Sequence, residues 1–315
     1  AKSEINEKIK ESRENLNRYE GYVEGFKKSK KIISEYLSKE DFSSDELDSI
    51  EDESISEDVL NAKEFLSYFY SIDISMDYLI EGKEYFEEQS KYHYNINFNG
   101  RKSSDDIYDI NDTNYGDYKV NNIKPTESHG THVAGIIAGL RNNSIGNNGI
   151  NNHVKIMALR AVPNGDEYDK DIARAIVYAV DNGAKIINGS FGKYYSSNPE
   201  WVIDAIRYAS EKDVLIVHAS GNESKDLDKN ENDNYPNDQF FENNEFSDTF
   251  INVGASSINY NKNIKASFSN YGKSNVDIFA PGVRIYSTMP DNKYDFQSGT
   301  SMAAPSTSGV ASLIF

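Results

Sequence analysis

Four apolar runs that alternate with helical patterns constrain the fold of this chain more than any other feature of its sequence. The runs lie at 153–162, 184–192, 214–222 and 250–256, and amphipathic patterns at 169–183 and 201–213 separate the first three. Strands without polar positions are buried on both faces, and strand–helix–strand alternation builds parallel sheets. The sequence therefore predicts an α/β fold with a mostly parallel sheet flanked by helices, whose functional residues gather at the carboxyl ends of the strands.

The first 92 residues differ, with almost no Gly or Pro and many Glu, Lys and Ser residues. Apolar side chains at helical spacing predict a long helix over about 2–38. Ser43 with Glu46 has the form of a capping box, and Ser56 is a candidate N-cap for a later helix. We expect a charged helical domain over 1–92 and a second domain over 93–315, with an Asn/Asp-rich connection over about 95–122.

Composition excludes several classes of site. The chain of 315 residues contains no cysteine, so disulfides, zinc–thiolate sites and thiol catalysis are ruled out. Its net charge of −18 argues against nucleic acid and other phosphate-bearing partners, and it is compatible with basic peptides or cations. The sequence has no run of about 18 apolar residues, so it predicts no transmembrane segment within these 315 residues.

Ser301 lies in the run Gly-Thr-Ser-Met-Ala-Ala-Pro, which has the form of a segment that presents a nucleophile. A serine hydroxyl needs a neighbouring base and donors for the oxyanion that forms on attack. His129 heads the stretch SHGTHVAGIIAGL, in which an apolar helical stripe anchors the element. Asn222 follows Gly221 at a predicted strand end, where a short amide can point into a cleft. These three side chains are the candidate catalytic group.

Four motifs occur in a fixed order: SHGTHVAG, SGN after a buried run, FSNYG with DIFAPGVRIYST, and SGTSMAAP. In this order and at these spacings they resemble the subtilisin-like serine proteases, the subtilase family or peptidase family S8. The resemblance covers residues 128–315, and it implies a three-layer subtilisin-like fold and a serine peptidase activity. It also implies Ser301 as the nucleophile, His129 as the general base, and Asn222 with the Ser301 N–H as oxyanion donors.

The same resemblance implies where a polypeptide substrate binds. Two segments match the walls of the first specificity pocket, namely Ser190, Phe191 and Gly192 on one side and Ala219, Ser220 and Gly221 on the other. Gly165 and Glu167 lie in a segment that matches the edge on which an extended substrate pairs as an added strand.

The stretch LRNNSIGNNG, residues 140–149, is similar to the calcium loop of the family. The similarity implies a structural Ca²⁺ ion held by the side chain of Asn143 and by the backbone carbonyls of Arg141, Ile145 and Asn147. The remaining ligands of the family have no match in this chain. An Asn/Gly-rich turn without a metal is the alternative.

The aspartate that orients the histidine in such a triad is missing from its usual place. In subtilases it comes first in chain order, within an Asp-Ser-Gly or Asp-Thr-Gly turn, and this sequence contains neither. Asp73 lacks the glycine, and five further aspartates lie in a polar loop: Asp105, Asp106, Asp109, Asp112 and Asp117. We therefore expect the aspartate upstream of Ala1, supplied by a companion fragment of the same precursor. Segment 1–92 would then be an insertion before His129, and the catalytic domain would be incomplete at both ends.

The hypothesis is an extracytoplasmic bacterial endopeptidase that acts through an acyl-enzyme. Two alternatives stay open. The missing aspartate suggests a degenerate subtilase kept as a binding or scaffold module, or the helical half docks a partner while the protease processes only itself. Retention of Ser301, His129 and Asn222 favours the enzyme, since a binding module has no need of all three.

Overall fold

Two compact units make up the chain. The computed structural model describes residues 2–51, 55–72, 74–95, 97–98, 100–101, 103–123, 127–162, 165–229, 231–240 and 244–315. By their contacts, residues 1–100 with 164–166 form one unit, and residues 101–163 with 167–315 form the other. We call them the helical unit and the sheet unit.

Helices build the helical unit, as its periodicity predicts. They are α1 (Lys2–Leu37), α2 (Ser44–Asp48), α3 (Glu57–Ser71) and α4 (Met76–Glu88), the last continuing into a π-helical turn at Gln89–His93. Ser43 and Glu46 form the predicted capping box, and the Ser56 hydroxyl caps α3 by accepting the Val59 N–H. Phe26 and Ile33 of α1 pack with Leu66 of α3 in a buried core that gives this unit its own hydrophobic centre.

The sheet unit has the predicted α/β architecture. Its helices are α5 (His129–Ala138), α6 (Asp169–Asp181), α7 (Pro199–Glu211) and α8 (Thr300–Ala311). Its strands are β1 (Ile186–Gly189), β2 (Leu215–Ala219), β3 (Gln239–Phe240), β4 (Asn244–Glu245), β5 (Phe250–Ser256), β6 (Ile278–Pro281), β7 (Ile285–Met289) and β8 (Lys293–Gln297). The order β1–β2–β5–β6 forms a parallel sheet, and β3–β4 and β7–β8 pair antiparallel.

Alternate side chains of the central strands face opposite helical layers. Ile216 of β2 packs into a core with α6 and α7, whereas the next residue, Val217, packs into a core with α8. Phe250 and Val253 of β5 divide between the same two cores. Because successive strand side chains point to opposite faces, a sheet covered on both sides needs apolar residues at every position. This is why the strands read as largely apolar runs, with few polar positions such as Asn188, His218 and Asn252, and it confirms helices on both faces of the sheet.

The strand predicted at 153–162 is wrong. These residues form no strand, and Ile156, Met157 and Leu159 are 47%, 42% and 37% exposed. A strand exists only where a neighbour satisfies its N–H and C=O groups, and within the described residues β1 pairs with β2 alone. An apolar composition indicates that a segment favours burial. It does not show whether a neighbouring strand is available to pair with its backbone.

A buried ion cluster fastens the connection before α5 to the start of α6. The Arg101 guanidinium donates two hydrogen bonds to Asp105, at 2.6 and 2.7 Å, and two to Asp171, both at 2.9 Å. Lys170 Nζ, on a fully buried side chain, lies 2.5 Å from Asp105 and 2.6 Å from the Asp106 carbonyl. The hydrogen bonds from Arg101 hold the pKa of the Asp105 carboxyl well below its usual range.

The substitution Asp105→Ala leaves Lys170 buried without its carboxylate, and removing one partner of a buried ion pair is strongly destabilising. We expect the free energy of unfolding of the sheet unit to fall by about 3–5 kcal/mol at neutral pH. Because the pKa of Asp105 is lowered, this contribution is complete above the carboxyl pKa of the unfolded chain and is lost as pH falls through the folded pKa.

Urea denaturation followed by the fluorescence of Trp201, the only tryptophan, measures this change within the sheet unit. The control is Asp204→Ala, whose exposed carboxylate lies 3.6 Å from Arg207 on α7 and should contribute less than about 1 kcal/mol. Equal losses in the two variants would contradict the interpretation of the cluster.

Candidate active site

Ser301 is the second residue of α8. It follows the N-cap residue Gly299 and the first helical residue, Thr300. The Ser301 hydroxyl donates to the Ser190 carbonyl at 3.4 Å, and the Ser190 hydroxyl donates back to the Ser301 carbonyl at 2.9 Å. Asn188 of β1 supports this pair by donating its amide N–H to the Ser190 hydroxyl at 2.9 Å. The candidate nucleophile is therefore tied to the carboxyl end of β1, as the parallel sheet predicts.

Asn222 is held by Thr300, a residue that the sequence analysis did not single out. The Asn222 side-chain oxygen accepts the Thr300 N–H at 2.9 Å and the Thr300 hydroxyl at 3.0 Å. The same hydroxyl accepts the Gly221 N–H at 3.1 Å, and Thr300 is fully buried. Because these bonds occupy the amide oxygen, the amide nitrogen of Asn222 is left as the donor for an oxyanion. The only sequence signal for Thr300 was its place within the serine motif.

Two donors meet in a small space beside Gly299. A Cβ built on Gly299 would lie 3.6 Å from the Ser301 backbone nitrogen and 3.7 Å from both the nitrogen and the oxygen of the Asn222 side chain, and Thr300 already binds that oxygen. The N–H groups of a first helical turn have no acceptor within the helix, and the helix dipole adds positive potential there. The structure thus brings together Asn222 and the Ser301 N–H, the two groups predicted to bind an oxyanion.

His129 is the first residue of α5, which packs against α8 and the β7–β8 hairpin. Gln297, three residues before the start of α8, donates a hydrogen bond at 3.3 Å to the hydroxyl of Ser128, the residue before His129. The buried His132 lies one turn further along α5, and its ring contacts the Asp295 carbonyl at 3.2 Å. His129 is exposed, and its imidazole pKa is lowered by desolvation from nearby protein atoms and, to a smaller extent, by His132.

The two predicted pocket walls continue from neighbouring strands. Ser190, Phe191 and Gly192 follow β1, while Ala219 ends β2 and leads into Ser220 and Gly221. Asn234, which the sequence analysis did not identify, joins the walls: its amide donates to the Ser220 carbonyl at 3.0 Å, and its oxygen would lie 3.2 Å from a Cβ at Gly192. The buried His218 packs between Phe191 and Phe250, and burial lowers its pKa to about 4.

A family model described as the subtilase family, Peptidase_S8, matches residues 33–315, which is most of the chain. The chain belongs to the subtilase family. This confirms the resemblance inferred from the four motifs and identifies the fold of the sheet unit as subtilisin-like.

Two relatives show how much of a subtilase the chain contains. It is 40% identical over 208 residues to the thermophilic serine proteinase of Bacillus sp. (strain AK1), covering 66% of the chain and 46% of the relative. It is 40% identical over 187 residues to thermitase of Thermoactinomyces vulgaris, and the match covers 59% of the chain and 60% of thermitase. The solved structure of a psychrophilic protease matches with a TM-score of 0.52 and 31% identity, covering 64% of this chain and 66% of that one. The chain thus spans about half to three-fifths of the two relatives' lengths.

This subtilase shows no carboxylate at His129 in the part of the chain that the structure describes. Asp73 lies outside the described residues. The five loop aspartates are engaged elsewhere. Asp105 belongs to the ion cluster. Each of the other four carboxylates accepts a backbone N–H within the loop: Asp106 from Tyr108, Asp109 from Asn111, Asp112 from Asp106, and Asp117 from Lys119. In the part of the chain that the structure describes, none of these five forms a hydrogen bond or ion pair with His129.

The loop predicted to bind calcium contains side-chain oxygen atoms of the type that calcium accepts as ligands. The Asn143 oxygen accepts the Ile145 N–H at 3.0 Å and keeps a second lone pair. Asn147 donates its amide N–H to the Gly135 carbonyl at 2.9 Å, while its amide oxygen is buried without a hydrogen-bond partner. An orphaned buried oxygen fits a hard cation. The Arg141 guanidinium binds the Gly149 carbonyl at 2.7 Å and closes the loop. Among the described residues, no group of three His, Asp or Glu side chains has metal-binding geometry.

The two residues predicted at the substrate edge fall in different units. Gly165 belongs by its contacts to the helical unit, with Phe98 about 3.2 Å from where its Cβ would be. Glu167 belongs to the sheet unit, where its carbonyl accepts a hydrogen bond from Lys193 next to the Gly192 wall. The pairing of a substrate on this edge stays a prediction.

The substitution Gly299→Ala tests the shared space. The extended backbone at Gly299, with φ 161°, suits any residue, and its Cβ would meet only ordinary van der Waals contacts. We expect normal thermal stability but at least about a hundredfold slower labelling by a fluorophosphonate probe, because the methyl group fills the space between the two donors. The control is Gly21→Ala, where nothing lies within 4 Å of the new Cβ. A normal labelling rate in Gly299→Ala would contradict the assigned oxyanion space.

Proposed function

We propose that this subtilase is a serine endopeptidase that hydrolyses peptide bonds in extended polypeptides through an acyl-enzyme. The observation that carries the proposal is the space at Gly299, flanked by the Ser301 N–H and the Asn222 amide, at the start of the helix that bears the Ser301 hydroxyl. Donors that surround a point before the substrate arrives stabilise the charge that develops during acyl transfer.

In the proposed reaction, Ser301 Oγ attacks the peptide carbonyl carbon while His129 accepts the hydroxyl proton. The carbonyl oxygen becomes an oxyanion and accepts hydrogen bonds from the Asn222 amide and the Ser301 N–H. When this intermediate collapses, the C–N bond breaks, His129 protonates the leaving amine, and an ester remains on Ser301. A water molecule deprotonated by His129 then attacks the ester and releases the carboxylic acid.

The proposal places the orienting aspartate upstream of Ala1, on a companion strand of the same precursor. Two observations support it. The aspartates of the loop before α5 are engaged elsewhere, and the segment at 153–162 exposes apolar side chains, as expected of an edge that another strand covers. In subtilisin, loss of the aspartate alone lowers kcat by on the order of 10⁴-fold.

Fluorophosphonate labelling tests the proposal in the 315-residue chain and in the full-length protein. We expect Ser301 to be labelled in both, but on the order of 10⁴-fold faster in the full-length protein. Ser301→Ala should abolish labelling, and Ser306→Ala, on the same helix, should leave it unchanged. Equal rates in the two forms would refute the upstream aspartate.

A degenerate subtilase kept as a binding or scaffold module is the second candidate, and the missing carboxylate at His129 within the described residues favours it. The two candidates differ in the reactivity of Ser301. If the fluorophosphonate probe labels the full-length protein no faster than its Ser301→Ala variant, the protein is a scaffold and not a protease. A role for the helical unit in docking a partner is compatible with either result.

We also propose a structural calcium ion in loop 140–149. The orphaned Asn147 oxygen and the Asn143 oxygen support it, because amide and carbonyl oxygens are ligands that calcium accepts. The ion would fasten the loop to the carboxyl end of α5, where Asn147 already binds the Gly135 carbonyl. It would thereby stabilise the helix that carries His129.

Chelation by EGTA should lower the melting temperature of the sheet unit by roughly 5 °C from that in calcium at a hundredfold excess over its Kd. Asn143→Ala should abolish this difference, and Asn143→Asp, which keeps the oxygen and adds charge, should enlarge it. Trp201 fluorescence during heating measures the shift. Identical melting curves of the parent with calcium and with EGTA would leave the loop as a metal-free turn.

An extracytoplasmic location is proposed as well. The chain is 39% identical over 196 residues to the cell wall-associated protease of Bacillus subtilis (strain 168), covering 62% of the chain and 20% of the relative. No helix in the described ranges is long and apolar enough to cross a membrane.

A further inference from the structure

Three side chains form a cluster at the outer end of the pocket walls. The Tyr194 hydroxyl, two residues beyond Gly192, donates to the carboxylate of Glu223, which directly follows Asn222. The same carboxylate accepts the Asn222 backbone N–H at 2.8 Å and an Asn270 amide N–H at 3.4 Å. The cluster therefore connects one wall of the pocket to the backbone of the residue proposed to bind the oxyanion.

Asn270 is the buried centre of this cluster, with no exposed surface. Its amide nitrogen donates to the Ser220 carbonyl at 2.7 Å and to the Tyr194 hydroxyl at 3.1 Å. Its amide oxygen accepts the N–H groups of Glu223, at 3.1 Å, and Lys225, at 2.8 Å. The turn from Ser220 to Lys225 is thus wrapped around one side chain.

Gly221 makes this close wrapping possible. Its φ of +98° lies in the region that favours glycine, and a Cβ there would come within 2.4 Å of the Asn270 amide nitrogen. The same Cβ would lie 3.0 Å from both the Tyr194 hydroxyl and the Glu223 carboxylate. A side chain at this position would displace Asn270, so the hydrogen-bonded turn requires glycine here.

We propose that Tyr194 and Glu223 are positioning residues, which hold the turn so that the Asn222 amide faces the oxyanion space. This inference rests on the proposed function. Thr300 holds the side-chain oxygen of Asn222. The backbone N–H of Asn222 is instead bound by the Glu223 carboxylate. One oxygen of the Glu223 carboxylate accepts all three of these hydrogen bonds, from Tyr194, Asn222 and Asn270, which engages it with the turn and its surroundings. The alternative is that Glu223 contacts a charged substrate side chain, which a change in KM for basic substrates would reveal.

Tyr194→Phe removes one hydroxyl and keeps the ring. We expect kcat on a peptide substrate to fall about tenfold with KM within about twofold, because a small displacement of an oxyanion donor acts on the transition state. Tyr195→Phe is the control, since this neighbouring ring is 66% exposed. Glu223→Ala should match Tyr194→Phe, and Glu223→Gln, which keeps an acceptor for the Asn222 N–H, should restore most of the activity.

A double-mutant cycle separates positioning from a general effect on folding. In an Asn222→Gly background, where the amide is absent, Tyr194→Phe should lower kcat no further. An equal tenfold loss in both backgrounds would overturn the proposal. So would a change confined to KM for substrates with Lys or Arg beside the scissile bond, since Glu223 would then contact the substrate.

Hydrogen exchange of the Asn222 backbone amide, measured by NMR, gives a result that does not depend on activity. We expect exchange to be at least about fivefold faster in Tyr194→Phe than in the parent and unchanged in Tyr195→Phe. Equal protection in Tyr194→Phe and the parent would overturn the inference. An inactive protein that still loses this protection would refute the proposed function while leaving the positioning of the turn intact.

Discussion

The hydrogen bonds between Thr300 and Asn222 are the contact on which the candidate site depends. They join residues 78 positions apart, one at the start of α8 and the other in the turn after β2. Thr300 is fully buried, so each of its hydrogen bonds is protected from competing water. Without this contact, the Ser301 N–H and the Asn222 amide would have no fixed relation, and neither donor alone forms an oxyanion hole.

The sheet makes that contact possible through small residues. Ala303 and Ala304 of α8 lie fully buried against Val217 and Ala219 of β2. Short side chains let the helix axis approach the sheet closely, so the first turn of α8 reaches the carboxyl ends of the strands. Gly135 does the same for α5, since a Cβ there would come within 2.2 Å of the Thr288 hydroxyl and 2.4 Å of the Ser287 hydroxyl. Close packing thus brings the start of α8, with Ser301, to the carboxyl ends of the sheet strands, while α5, which begins at His129, packs on α8 and on the β7–β8 hairpin.

Local patterns predicted much of this arrangement, because their causes are local. The capping box at Ser43 and Glu46, the limits of α1 and the largely apolar run of β5 follow from side chains a few residues apart. The motifs at His129 and Ser301 likewise identified the candidate catalytic residues before any fold was known. The hydrogen bonds of Thr300, Asn234 and Asn270 were not predictable, since their partners are distant in sequence and polar residues in turns give no periodic signal.

The proposed upstream strand bears both on the exposed apolar segment at 153–162 and on the lack of a carboxylate at His129 among the described residues. Segment 153–162 precedes helix α6 and strand β1, and if it were paired as a strand, a right-handed connection through α6 would place it beside β1. Ala161 and Val162 at its end do pack against the core of α6 and α7, but Ile156 and Met157 stay exposed. A further strand on this side would cover those side chains and satisfy the backbone, and its carboxyl end would lie at the edge of the sheet where functional residues gather. The proposed upstream strand, if it pairs there, would account both for the exposed apolar segment and for the lack of a carboxylate at His129 within the described ranges.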